Sequence, residues 1–285
     1  MPDPIFDEKD YSIGGRTCHY AHMEGDESLP PIVFLHGITT FGHYFDETVK
    51  HLNLHNSIYL MDLRGHGKSD PGEGLYKINS YLEDIHFFLQ FIICKPVHVV
   101  GHSLGGRIGI ALSATQPELV ASLAIIDVAP SVDQRGFARL FNAITKMPRP
   151  FRNLDHVYEF FTTTWGGAQD LFIELMVKYG MITHSDGTIS PRFDPPIFSL
   201  PPEVLISEIQ ELWECCAKIS LPTLIARGEN SDVLSPEIAE RLQKAIPGAR
   251  VSLIKGASHS VPADAPVQLA EVLNGFIPWA EQKSL

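Results

Sequence analysis

Six residues able to attack a carbonyl, move a proton or hold a charge fall at or just beyond the ends of apolar runs: His36, Asp62, Ser103, Asp127, Asp232 and His259. Ser103 has the most telling surroundings. In "VVGHSLGGRIG", residues 99–109, it stands among glycines directly after a β-branched run. A turn this sharp from strand to helix strains the backbone of its central residue, and small neighbours at Gly101, Gly105 and Gly106 let strand and helix approach. Ser103 Oγ would then be held out above the strand ends. Backbone N–H groups and the positive end of a helix dipole would lie beside it, which suits a developing oxyanion. A serine hydroxyl is a weak nucleophile near neutral pH, so it needs an adjacent base, and histidine with an unperturbed pKa of ~6.5 fits that task. The chemistry indicated is acyl transfer through a serine ester. The competing interpretation is a plain tight turn with serine as filler.

Convergence of such scattered residues requires strands that end at one edge. The spacing predicts strands in "RTCHYAHMEG", "PPIVFLHG", "SIYLMDLRGHG", "KPVHVVGHS", "VASLAIIDVAP", "LPTLIARGENSD" and "ARVSLIKGASH". Between them, "NSYLEDIHFFLQFI" places Leu82, Ile85, Phe88, Leu89 and Ile92 on one helical face. Further helices are expected over "LGGRIGIALSATQP", from Pro236 to Ala245, and through "PVQLAEVLNGFI". Alternating strands and helices imply an α/β fold, a mainly parallel, doubly wound sheet covered on both faces, with sites at the carboxyl ends of its strands. The alternation stops from about Pro130 to Ser220. That stretch is rich in proline and aromatics, including Phe137, Phe141, Phe151, Phe160, Phe161, Trp165, Phe172 and Tyr179, with one hairpin signal at Asp186-Gly187. We expect a core of residues 1–129 and 219–285, and an inserted, mostly helical cap of residues 130–218.

Composition narrows the partners. The 285 residues are 44% apolar and 20% charged, a globular balance. Mean hydropathy is +0.02 and no uncharged apolar run approaches the ~18 residues of a membrane span. The net charge of −12, with no basic block, disfavours nucleic acid or an anionic membrane as partner. The acidic start "MPDPIFDEKD" has neither a basic nor an apolar leader region, so the expected location is the cytoplasm. Cys18, Cys94, Cys215 and Cys216 form no CxxC pair and are expected to be free, mostly buried thiols. Histidines and carboxylates show no metal-ligand spacing, so no metal is expected.

"HGIT" after one predicted strand, "DLRGHGKSD" after the next, "GHSLGG" at the turn and "GASHSVPADAP" near the C-terminus occur in one order, and with them the chain resembles the α/β-hydrolase superfamily over nearly its whole length. The resemblance implies Ser103 as nucleophile and His259, in a small-residue loop after the last strand, as base. It leaves the acid open. The family usually places it after the strand that follows the cap, where "RGENSDVLSP" has Ser231, with Asp232 one residue late. Asp127, at the end of the strand before the cap, is the station some branches use, and we favour it over Asp232.

By the same resemblance the oxyanion would be held by the backbone N–H groups of Ile38 and Leu104. His36, His66 and His102 are expected to hold loops, Asp62 and Arg64 to brace the loops under the site, and Arg107 to serve as a surface or bracing residue. Arg135, Arg139, Arg149 and Arg152 could meet a substrate carboxylate, although solvated positions are the simpler expectation. The implied reaction is hydrolysis of a small carboxylic ester, or of a lactone, amide or C–C bond, with no cofactor. A cofactor-free lyase or peroxidase, or a ligand receptor, is the alternative. The substrate is expected to carry an apolar or aromatic part.

Overall fold

A computed structural model describes residues 4–283 apart from 73, 75 and 166–168. The chain opens with β1 (Asp7–Ile13), β2 (Arg16–Met23), β3 (Ile32–Leu35), α1 (Asp46–Lys50), β4 (Ile58–Met61), α2 (Ile78–Phe87), β5 (Val97–His102), α3 (Leu104–Thr115) and β6 (Val120–Ile126). An insertion follows, built from α4 (Gln134–Thr145), α5 (Leu154–Thr163), α6 (Asp170–Tyr179), the short strands β7 (Met181–Thr183) and β8 (Ile189–Pro191), and α7 (Pro202–Cys216). The sheet then resumes with β9 (Thr223–Gly228), α8 (Pro236–Ala245), β10 (Arg250–Ile254), α9 (Val261–Asp264) and α10 (Pro266–Lys283).

Eight strands form one sheet in the order β1-β2-β4-β3-β5-β6-β9-β10. β2 runs antiparallel to both β1 and β4, and every other neighbouring pair is parallel. The central strands are buried on both faces because their side chains alternate between two apolar layers. Val33, Leu35, Val99, Leu123 and Ile125 face one layer, with Ile85 of α2, Ile108 of α3 and Leu242 of α8. Ile32, Phe34, Val100, Ala124 and Ile126 face the other, with Val49 of α1 and Leu269 and Leu273 of α10.

The short α9, together with β1 and α1, escapes the expected pattern. β1, "DEKDYSI", is an exposed edge strand with too few apolar side chains to show a period, and its pairing with β2 is set by the positive-φ turn at Gly14 and Gly15. α1, at five residues, is too short for a helical period to appear. The predicted helix after "NSYL" also changes winding: after α2 it continues as a π-helical segment, Phe88–Ile93. There the Cys94 N–H reaches back five residues to the Leu89 carbonyl, and Cys94 closes the segment at φ 59°.

The insertion packs around an aromatic cluster in which Phe161, Trp165 and Phe172 meet with ring centroids 5.5–5.8 Å apart. Phe137 and Phe141 instead stack on each other on the outer face of α4, about half exposed. The turn at Gly187, φ 82°, joins β7 and β8 as the hairpin signal indicated. Backbone hydrogen bonds tie the insertion to the sheet, from Gly67 N–H to the Arg192 carbonyl (2.9 Å), from Asp194 N–H to the Gly65 carbonyl (2.8 Å) and from Asp133 N–H to the Val233 carbonyl (2.9 Å). No helix among the described residues is long and apolar enough to cross a membrane. The four cysteines are free, with Cys18 and Cys216 buried, Cys215 half-buried and Cys94 exposed.

Candidate active site

Ser103 is the single residue between β5 and α3, with φ 51° and ψ −114°. The neighbouring glycines are there for space. A Cβ on Gly101 would lie 2.4 Å from the Gly105 carbonyl oxygen, and one on Gly105 would lie 2.0 Å from that of Leu35. The bend is held by backbone hydrogen bonds from Ser103 N–H to the Ile126 carbonyl (3.1 Å) and from Gly105 N–H to the His36 carbonyl (3.0 Å).

The loop after β10 brings in His259, whose Nε2 is 3.1 Å from Ser103 Oγ and whose Nδ1 is 2.8 Å from Asp127 Oδ2. Asp127 is fully buried and stands at φ 53° just beyond β6. Its Oδ1 accepts from Gly228 N–H at 2.7 Å, and its Oδ2 also accepts from Ser231 Oγ–H at 2.5 Å. A carboxylate only accepts, so Nδ1 of His259 carries the proton and Nε2 turns its lone pair to the serine. Ser103, His259 and Asp127 are thus one connected line.

Asp232 is not part of it. Its carboxylate lies on the Arg139 guanidinium of α4, with contacts of 2.6 and 2.8 Å, and this partner holds its carboxyl below the usual range. One residue of displacement after β9 sends its side chain toward the insertion, while Ser231 occupies the place beside the imidazole line.

The remaining residues singled out in the sequence brace loops. His36 donates from Nδ1 to the Gly37 carbonyl (2.7 Å) and accepts at Nε2 from Leu63 N–H (3.0 Å), joining the loops after β3 and β4. Burial keeps it neutral, with a pKa well below the ordinary value. His102 donates from Nε2 to the His259 carbonyl at 2.8 Å, and burial, aided by His259, pushes its pKa down to about 3. His66 donates to the Arg64 carbonyl (3.0 Å) and is likewise pushed down to about 4 by burial. Asp62 accepts from Gly42 and Lys68 N–H (2.7 and 2.8 Å), and Arg64 grips Asp84 at 2.6 and 2.7 Å. Arg107 donates to the Ala129 and Pro130 carbonyls (3.2 and 2.8 Å), fixing the chain where the insertion begins.

A cavity of about 30 Å³ opens over Ser103, walled by Ile38, Thr39, Thr40 and Tyr44 from the core and by Leu140, Ile144, Trp165 and Phe172 from the insertion. Tyr44, Leu140 and Ile144 were not legible as site residues. Tyr44 sits in an unremarkable run after "HGIT", and the two aliphatics share α4 with outward-facing phenylalanines. Among the described residues no arginine lines this cavity: Arg135 pairs with Asp133, Arg139 with Asp232, and Arg149 lies 4.2 Å over the Phe193 ring. Ile38 borders this space, and Leu104 follows Ser103 directly in the chain. Leu104 is the first residue of α3, so its N–H has no intrahelical acceptor, and neither amide has a partner among the described residues.

Comparison with known proteins agrees with this architecture. The family model described as alpha/beta hydrolase fold matches residues 30–266. A curated relative, the 2-(acetamidomethylene)succinate hydrolase of Mesorhizobium japonicum, is 26% identical over 88% of this chain and 88% of its own. An esterase of Mycobacterium tuberculosis is 27% identical over 88% of this chain and 83% of its own. Among solved structures, an E-2-(acetamidomethylene)succinate hydrolase superposes with a TM-score of 0.83 at 24% identity, covering 96% of this chain and 100% of that one, which speaks to the fold.

Proposed function

Because this chain belongs to the alpha/beta hydrolase family, we propose that it is a serine hydrolase that cleaves a small, uncharged carboxylic ester through an acyl-enzyme on Ser103. The observation that carries this reading is the unbroken line from Asp127 through His259 to Ser103 Oγ, with contacts of 2.8 and 3.1 Å. Its curated relatives from Mesorhizobium japonicum and Mycobacterium tuberculosis, a hydrolase and an esterase by name, agree with it.

His259 Nε2 takes the Ser103 proton as Oγ attacks the ester carbonyl, and Asp127 stabilises the imidazolium without being protonated itself. The carbonyl oxygen, now negative, is met by the N–H groups of Ile38 and Leu104, the second at the positive end of α3. His259 then gives its proton to the departing alcohol. Water, deprotonated by the same Nε2, releases the acid and restores the serine.

The residues around the cavity favour a neutral acyl group. Apart from the line itself and the neutral His102, its walls are aliphatic, aromatic or hydroxyl-bearing, so a substrate carboxylate would enter without a cation to offset its desolvation. The insertion acts as a cap that supplies Leu140, Ile144, Trp165 and Phe172 to these walls.

The test is hydrolysis of p-nitrophenyl esters. Acetate and butyrate esters should turn over with kcat/KM at least ~100-fold above the hemisuccinate ester, given that an unpaired charge costs several kcal/mol on burial. Equal or better turnover of the hemisuccinate would contradict the neutral-acyl assignment.

A further inference from the structure

Ser231 lies 8% exposed in the loop after β9, and every hydrogen-bonding direction of its hydroxyl is in use. Its oxygen accepts from the N–H groups of Val233 and Leu234, both at 3.1 Å, and its proton goes to Asp127 Oδ2 at 2.5 Å. A serine hydroxyl has two acceptor lone pairs and one donor. With both lone pairs filled by backbone donors, the O–H can point only at the carboxylate. That same Oδ2 receives His259 Nδ1–H at 2.8 Å, while Oδ1 is fixed by Gly228 N–H.

We infer that Ser231 is a positioning residue of this hydrolase: its preset hydroxyl locks the Asp127 carboxylate in the rotamer that aims Oδ2 at His259. The inference rests on the serine-hydrolase reading. Asp127 stands at positive φ just beyond β6, with its N–H on the Ala226 carbonyl of β9 (2.8 Å), and apart from His259 its carboxylate takes its donors from the end of β9 and the loop beyond. Gly228 N–H secures Oδ1, and Oδ2 is shared by His259 Nδ1–H, the group it has to aim, and the Ser231 hydroxyl. Ser231 is thus the donor that sets Oδ2 independently of the imidazole.

The loop carrying Ser231 is also the one the insertion grips. Val233 accepts from Asp133 N–H at 2.9 Å, Asp232 pairs with Arg139, and a Cβ on Gly136 would lie 2.2 Å from the Asp232 carbonyl oxygen. The position of α4, which carries Leu140 and Ile144 over Ser103, is therefore coupled through Ser231 to the direction of the acid.

The experiment compares the full-length wild type with Ser231→Ala, Ser231→Cys and Ser231→Thr, using p-nitrophenyl acetate kinetics and fluorophosphonate labelling of Ser103. A hydrogen bond to a charged group accounts for roughly a 10- to 100-fold loss of kcat in Ser231→Ala with KM little changed. Ser231→Cys, nearly isosteric but a poor donor, should fall with it, and Ser231→Thr, which keeps the hydroxyl, should recover most of the rate. If the alanine variant does not fold, the cysteine and threonine pair decides. Wild-type kcat in Ser231→Cys, or equal losses in the cysteine and threonine variants, would overturn the inference. A wild-type protein that fluorophosphonate leaves unlabelled would instead overturn the hydrolase reading beneath it.

Discussion

Asp127 and Asp232 divide between them what the sequence left as alternatives. A residue that orients the base must offer an acceptor oxygen to Nδ1 with no cation competing for it, and Arg139 disqualifies Asp232 on that count. Asp127→Asn should therefore lower kcat by about 10³–10⁴-fold, because an amide there favours the wrong tautomer. Asp232→Asn should leave kcat within about threefold, since an exposed or half-exposed ion pair is worth ~0–1 kcal/mol. Steady-state kinetics of the two variants checks the pair of expectations. At the turn, Gly105→Ala should destabilise by about 3 kcal/mol or more in a urea titration, since its Cβ would strike the Leu35 carbonyl oxygen, part of a buried strand that cannot yield. Ser103, His259 and their placement at strand ends were legible because the glycine spacing and the strand pattern are local. The acid was legible only as a preference for Asp127, because the choice turns on which way a side chain leaves a loop, and one residue of register, Ser231 against Asp232, reverses that direction.

At the scale of elements, β1 is fastened by charge where burial cannot do it. Glu8 Oε1 is 2.7 Å from His43 Nε2 and its Oε2 is 2.7 Å from His19 Nε2, while His43 Nδ1 meets Asp46 Oδ1 at 2.8 Å and Lys68 Nζ lies 2.6 Å from Glu8. Flanked by two carboxylates, His43 can satisfy both only as the imidazolium. Burial opposes that charge, but Asp46 and Glu8 outweigh it and raise its pKa above the ordinary value. Burial likewise opposes the Glu8 carboxylate, yet Lys68 and His43 bring it down to about 2. The signs follow from linkage. The His43 contribution to stability is complete below its unfolded value near 6.5 and is lost as pH rises through the raised folded value. The Glu8 contribution is present above its unfolded value near 4.5 and is lost as pH falls toward 2. The wild type should therefore lose thermal stability above about pH 6.5, and His43→Gln should flatten that loss, as read from melting temperatures between pH 5 and 9. The β/α alternation was legible because its apolar runs are long. β1 was not, because its order comes from this network and a Gly-Gly turn, with few apolar side chains to mark it.

Across the whole molecule, the cavity over Ser103, at about 30 Å³, has room for no more than a couple of waters. Ester entry then requires the insertion to shift, and the Arg139–Asp232 pair between α4 and the loop after β9 opposes that shift. Arg139→Ala should lower KM for the butyrate ester relative to the acetate ester and reduce the melting temperature by a few degrees; unchanged KM ratios would show that α4 does not gate the cavity. The insertion was legible as a break in alternation, whereas its closure was not, because it depends on contacts between segments a hundred residues apart. The measurement that reaches furthest is the intact mass of the protein after exposure to a fluorophosphonate, alongside Ser103→Ala. One rapid adduct on the wild type, absent from Ser103→Ala, is the predicted result. No adduct under conditions that label a known serine hydrolase, or an adduct that persists in Ser103→Ala, would contradict Ser103 as the nucleophile.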